Sequence, residues 1–187
     1  MVRTVRDIPA GTAPYPASDA SDATLRDGTR VHLRPIRPDE APELLELYDR
    51  LSPESLYFRF FAVPDKDRSK AEYLAHVDYV DRYAIVAEVG GALTGVARFE
   101  RDAREPSRAE VAFTIADESQ GRGLGSLLFR RLATLARTRG ISTFDAEVLP
   151  DNEKMLRVFA RSGLRQTTRS DGPALHVSLE LGPEPPA

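Results

Sequence analysis

The stretch Gln120-Gly121-Arg122-Gly123-Leu124-Gly125-Ser126 decides how this chain is read. A β-type run, Ala109-Glu110-Val111-Ala112-Phe113-Thr114-Ile115, leads into it, and a helical run, Leu127-Leu128-Phe129-Arg130-Arg131-Leu132-Ala133, leads out. Glycine has no Cβ and tolerates positive φ, so three glycines at alternate positions let main-chain N–H groups wrap around an anion. The helix behind them aims its unpaired first-turn donors and the positive end of its dipole at the same point. Strand, glycine turn and helix in that order predict a phosphate cradle.

Upstream of the cradle, Asp27-Gly28 signals a turn and residues 30–36 alternate as a first strand. Pro38-Asp39-Glu40 opens a helix with Leu44, Leu45, Leu47, Tyr48 and Leu51 on its apolar face. Ser52-Pro53-Glu54 starts a second helix, and a short third one is expected from Ser69 to Val77. Residues 83–89 and 93–99 form a hairpin about Gly90-Gly91. Downstream, the helix stops at Gly140, residues 143–149 read as a strand, and Pro150-Asp151-Asn152 caps a helix ending at Gly163. Strands near 165–169 and 175–181 complete a mixed sheet with helices on its faces. Residues 1–23 and 182–187, rich in Pro and small polar residues, are expected to be tails around one domain at 24–181.

The totals narrow the function classes. With 187 residues one domain with a sizeable core is expected, and a net charge of −3 gives no bulk attraction to nucleic acid. There is no apolar run long enough to span a bilayer and no signal-peptide h-region behind Arg3 and Arg6, so no membrane association and a cytoplasmic location are expected. The absence of Cys removes disulfides, thiolate metal sites and cysteine nucleophiles. His32, His76 and His176 are dispersed without metal-ligand spacing, so no metal is expected.

Three owners of the cradle compete with a plain ligand-free turn. A dinucleotide fold needs G-x-G-x-x-G near the start of a domain, whereas position 126 is Ser and three strands precede it. A Walker loop needs a Lys after the glycines, and none is present. The third owner emerges from the surroundings. Gln120-Gly121-Arg122-Gly123-Leu124-Gly125 matches the Q/R-x-x-G-x-G/A signature of the GNAT N-acetyltransferase family, and the run from Asn152 to Gly163-Leu164 resembles that family's second motif. The resemblance covers about residues 25–181.

This resemblance implies a GNAT fold: a mixed, mostly antiparallel sheet of six to seven strands, splayed at its centre and flanked by helices on both faces. It implies acetyl-CoA as acyl donor. Main-chain N–H groups from Gly121 through Arg122, Gly123, Leu124 and Gly125 to Ser126 would hold the pyrophosphate, with Gln120 as the signature's first residue. The Arg122 and Arg131 side chains are candidates for phosphate contacts. Ile115 would supply main-chain hydrogen bonds to the pantetheine arm, and Asn152 would both cap its helix and meet that arm.

Acyl transfer to an amine also needs a proton acceptor. Lysine and glutamate differ by about 6 pKa units, on the order of 8 kcal/mol, so an ordinary carboxylate is a poor base and burial would narrow the gap. Glu110 is the best candidate: its strand face continues with small Ala112 and Ala116 around Thr114, while Val111, Phe113 and Ile115 face the other way. Pattern alone favours instead a solvent-end Glu paired with Arg98 or Arg108. Ala109–Phe113 and Ser52–Phe61 both resemble the bacterial Pat-type protein lysine acetyltransferases, and the resemblance makes Glu110 the general base and a protein lysine the acceptor. A small-molecule amine acetyltransferase and a non-catalytic acyl-CoA-binding module are the alternatives. The family's usual acid Tyr, seven residues after the motif Asn, is Phe159 here; Tyr57, Tyr79 and Tyr83 are the remaining candidates. A monomer and a homodimer are equally compatible with the sequence.

Overall fold

The computed structural model describes residues 13–61 and 68–182. A 3-10 turn at Ala17–Asp19 precedes β1 (Ser21–Thr24) and β2 (Arg30–Pro35). Three helices follow, α1 (Ala41–Asp49), α2 (Pro53–Phe60) and α3 (Arg68–Ala75), and then β3 (Arg82–Val89), β4 (Ala92–Arg101) and β5 (Arg108–Ile115). A short turn leads into α4 (Leu124–Arg137), β6 (Thr143–Val148), α5 (Glu153–Ala160), β7 (Arg165–Asp171) and β8 (Ala174–Glu180). One sheet holds eight strands in the order β1-β2-β3-β4-β5-β6-β8-β7.

All neighbours are antiparallel except β5 and β6. That parallel pair is joined only at Arg108↔Thr143, Ala109↔Phe144 and Glu110↔Asp145. Beyond these rungs the two strands part, so residues 111–115 and 146–148 flank a gap at the centre of the sheet. The Ala116 N–H donates to the Thr94 carbonyl at 2.9 Å. Antiparallel alternation then turns the N–H groups of Val111, Phe113 and Ile115 away from β4 and into the gap.

The strand's period of two sorts its side chains. Phe113 faces α4 and α5, its ring 5.8 Å from Phe129 and 6.5 Å from Phe159. Ile115 lies on the same face, where a Cβ at Gly95 would meet Ile115 Cδ1 and Leu128 Cδ1. α4 buries Leu124, Leu128, Phe129, Leu132, Ala133, Leu135 and Ala136 there, a helical stripe of the width a sheet face covers. Glu110, Ala112 and Thr114 take the opposite face, on which Arg98 of β4 donates to the Leu74 carbonyl of α3. Helices therefore cover both faces, and Glu110 looks toward α2 and α3.

Two expectations need correction. The sheet has eight strands rather than six to seven, and residues 13–23 are not a tail. β1 pairs with β2 over Ser21↔Leu33 to Thr24↔Arg30. Asp19 accepts from the Tyr83 hydroxyl at 2.6 Å and from Arg139 at 2.9 Å, while the Tyr15 hydroxyl donates to the Pro35 carbonyl at 3.0 Å. These partners are distant in sequence and leave no periodic signal. The expectations for residues 1–12 and 183–187 lie outside the described residues. Among the described residues no helix is long and apolar enough to cross a membrane.

Candidate functional site

A groove of about 920 Å³ opens where β5 and β6 part. Glu110, Ala112, Thr114 and Ile115 line it from β5, Glu147 and Val148 from β6, and Ser55, Phe58, Arg59 and Phe60 from α2. Gly121, Gly123, Gly125, Ser126 and Asn152 close its far end. The glycine turn, the strand gap and Glu110 thus share one continuous hollow.

The glycines of the turn meet two different demands. Gly121 (φ 73°) and Gly123 (φ 94°) need the left-handed region, and a Cβ at either would meet nothing within 4 Å. Gly125 is helical, and a Cβ there would lie 3.4 Å from Val158 Cγ2 of α5, in ordinary van der Waals contact. Gly123 is the N-cap of α4 and supplies no side-chain cap; the helical ladder starts with Leu127 N–H donating to the Gly123 carbonyl at 3.0 Å. The N–H groups of Leu124, Gly125 and Ser126 are the orphan donors of that first turn, with the dipole behind them. An uncapped helix start at the mouth of a groove fits an anionic ligand such as a pyrophosphate.

Gln120 does a different job from its neighbours. Its Nε2 donates to the Ile115 carbonyl (3.1 Å), Asp117 Oδ1 (2.9 Å) and Ser55 Oγ (3.2 Å), and its Oε1 accepts from Lys154 Nζ (2.7 Å). One amide therefore ties the end of β5, α2 and α5 around the cradle. Burial pushes the Asp117 carboxyl up, but hydrogen bonds from Ser55 and Ser52 outweigh it and the net shift is downward. The side chains of Leu124, Arg122 and Arg131 do not line the groove. Leu124 is buried in the core, so it offers only its main chain. Arg122 is held by Asp27 (2.6 Å) and Thr29 Oγ1 (2.5 Å), and Arg131 donates to the Asp19 carbonyl at 2.8 Å. The turn between β1 and β2 thus holds the Arg122 guanidinium, and the 3-10 turn before β1 holds that of Arg131.

Asn152 caps α5, its Oδ1 accepting from the Met155 N–H at 3.1 Å, and it lines the groove as well. Glu110 stands at the last rung of the parallel pair, opposite Glu100 on β4 and Asp145 on β6. It is exposed rather than buried, so the protein's own side chains do not shield it from water. Arg108 is committed to Asp145 through bonds of 2.9 and 2.5 Å. A smaller cavity of about 170 Å³ adjoins; Glu110 and Glu147 line both hollows, with Glu100, Asp102, Asp145 and His176 around the smaller one.

None of the groove's lining residues is a tyrosine. The Tyr79 hydroxyl donates to the Ile36 carbonyl, and burial pushes its pKa up to about 12. Tyr83 is buried and bonded to Asp19, both of which push it higher still. Tyr57 is exposed, and Phe159 is sealed against Phe113 and Phe129. Among the described residues there is no group of His, Asp and Glu arranged to hold a metal ion. The sequence reading missed Lys154, Arg157 and Arg161, which line the groove from α5. Their i, i+3, i+7 spacing was the available signal.

The model of the Acetyltransferase (GNAT) domain matches residues 30–165. The chain is 39% identical over 166 residues to Acetyltransferase Pat of Mycolicibacterium smegmatis, covering 87% of this chain and 48% of Pat. It therefore spans about half the length of that relative. The crystal structure of the GNAT domain of S. lividans PAT superposes with a TM-score of 0.83 at 38% identity, covering 89% of this chain and 99% of the other. The structure of yncA, a putative acetyltransferase from Salmonella typhimurium with its cofactor acetyl-CoA, shares the fold at 19% identity and a TM-score of 0.66, with 82% and 95% covered. The signature turn, the splayed sheet and these matches lead to one conclusion: the chain belongs to the GNAT acetyltransferase family.

Proposed function

We propose that this protein transfers the acetyl group of acetyl-CoA to a primary amine, a protein lysine side chain, by direct attack within a ternary complex. The observation that carries this reading is the uncapped start of α4 opening into the groove that runs along β5 to Glu110. The donor's pyrophosphate fits the orphan N–H groups of Leu124, Gly125 and Ser126, and the pantetheine arm fits the gap beside Ile115. The amine nitrogen attacks the thioester carbonyl carbon, the C–S bond breaks, and the sulfur departs as a thiolate. Glu110 accepts the amine proton and returns it to solvent. Ile115 is the main-chain N–H positioned for the oxyanion, since the Ala116 N–H is already taken by Thr94. With Phe159 sealed in the core, the thiolate leaves without a dedicated tyrosine acid. Docking of the substrate also supplies the desolvation that exposed Glu110 lacks.

An open groove edged by the exposed aromatic Phe61 supports a protein acceptor, as does the resemblance to the Pat-type lysine acetyltransferases. The small cavity with its carboxylates favours a second reading, a small polycationic amine. Thiol release from acetyl-CoA, measured with acyl-CoA synthetases and polyamines as rival acceptors, tests both. Glu110→Gln is expected to lower kcat by about 100-fold or more while leaving acetyl-CoA binding unchanged. Unchanged turnover in that variant removes Glu110 as base. Tight acetyl-CoA binding with no turnover on any amine favours a regulatory module instead.

A further inference from the structure

Coenzyme A carries a pyrophosphate and a ribose 3′-phosphate, and the glycine turn offers them neutral N–H donors without a cation. Arg122 and Arg131 are engaged with Asp27, Thr29 and Asp19. The facing helix is different. Lys154, Arg157 and Arg161 of the α5 segment are all exposed and all line the groove. Lys154 Nζ lies 2.7 Å from Gln120 Oε1, and Gln120 immediately precedes Gly121, so this ammonium stands at the lip of the cradle. Its bond to a neutral amide oxygen is readily exchanged for a phosphate oxygen, since charge-assisted bonds are stronger. Arg157 reaches Glu153 at 3.6 Å in an exposed i, i+4 pair of the kind worth little. Arg161 makes no ion pair among the described residues and sits two helical turns beyond Lys154, a rise of about 10 Å. The chain as a whole is acidic, with a net charge of −3, so this cationic flank is a local feature.

We propose that the basic flank of α5 is the coenzyme's phosphate clamp: Lys154 closes on the pyrophosphate from the side opposite the α4 N-terminus, and Arg161 takes the ribose 3′-phosphate, with Arg157 beside it. The proposal rests on the acetyl-CoA reading above and adds to it a basis for distinguishing coenzyme A from its 3′-dephospho form.

Calorimetric titration of the full chain with coenzyme A and with 3′-dephospho-coenzyme A tests this. The wild-type protein is expected to prefer coenzyme A by about 10-fold, equivalent to about 1.4 kcal/mol. Arg161→Ala is expected to abolish that preference by weakening coenzyme A alone. Lys154→Met is expected to weaken both ligands equally, by about 10-fold, and to flatten the salt dependence of binding. These exposed residues leave the core intact, and unchanged melting temperatures verify it. Tight wild-type binding without a preference, or variants that bind like wild type, would overturn the clamp. Failure of the wild-type protein to bind either ligand would overturn the acyl-CoA reading itself.

Discussion

Gly123→Ala separates what the glycine turn does for the fold from what it does for the ligand. Gly123 has φ 94°, and a Cβ there would meet nothing within 4 Å, so the fold pays only for the backbone conformation. Holding alanine in the left-handed region costs about 1–2 kcal/mol. For a chain of this size that lowers Tm by about 2–8 °C. The same methyl group would stand beside the orphan N–H groups of Leu124, Gly125 and Ser126. Loss of a helix-terminus anion contact amounts to as much as about 2 kcal/mol, or about 30-fold in Kd. Gly140 supplies the control. It follows the other end of α4 at φ 75°, again with nothing within 4 Å of a Cβ, and it is absent from the groove's lining. Differential scanning calorimetry should show similar destabilisation of Gly123→Ala and Gly140→Ala, while titration with acetyl-CoA should show weakened binding in Gly123→Ala alone. Equal binding loss in the two variants, or none in Gly123→Ala, would refute the assignment of this helix start to the phosphates.

Two further outcomes test individual side chains. Asn152→Ala removes the α5 cap and should cost about 1 kcal/mol, whereas Asn152→Asp keeps the Oδ1 acceptor and removes only the amide donors. If Asn152 meets the ligand, Asp at that position binds acetyl-CoA more weakly at nearly unchanged urea midpoint; equal binding means the residue is a cap only. Asp27 is held at about 2 by the Thr29 main-chain and hydroxyl hydrogen bonds first and by Arg122 after them. Because its folded pKa is depressed from 3.8, its contribution to stability is present above pH about 4 and is lost as pH falls toward 2. In Arg122→Ala the Asp27 carboxyl should titrate higher by NMR, yet still below 3.8 because the Thr29 bonds persist; an unmoved midpoint would mean that Arg122 does not reach it in solution.

Local patterns carried most of the fold. The β5–turn–α4 unit was legible because period-two and helical spacing meet at glycines, each signal lying within a few residues. Ser21–Thr24 was illegible for the opposite reason: a four-residue edge strand has too little alternation to register, and its stability comes from β2 and from Asp19, Tyr83 and Arg139 far along the chain. The same cause hid the partner of Arg122. A guanidinium beside a phosphate turn invites a phosphate contact, and only the packed β1–β2 turn shows Asp27 in competition for it. The placement of Glu110 on the small-residue face was readable from alternation, but its exposure was not. Exposure depends on how far β6 departs after Asp145, and nothing local to Ala109–Ile115 encodes that.

The signature glycines show why a short motif can be recognised before it is understood. Three alternate glycines suggested one shared freedom, positive φ around an anion. The structure divides them: Gly121 and Gly123 bend the chain, and Gly125 lies where α4 meets Val158 of α5 with room for a methyl group at most. At this contact the α4 start and the α5 flank border the same groove, so the size of the residue at position 125 bears on their spacing. A residue larger than alanine at position 125 would press on Val158 and move Lys154 with its helix away from Gln120. The motif thus fixes the spacing between a neutral donor set and a cationic one, and a local reading of residues 120–126 contains only the first of the two.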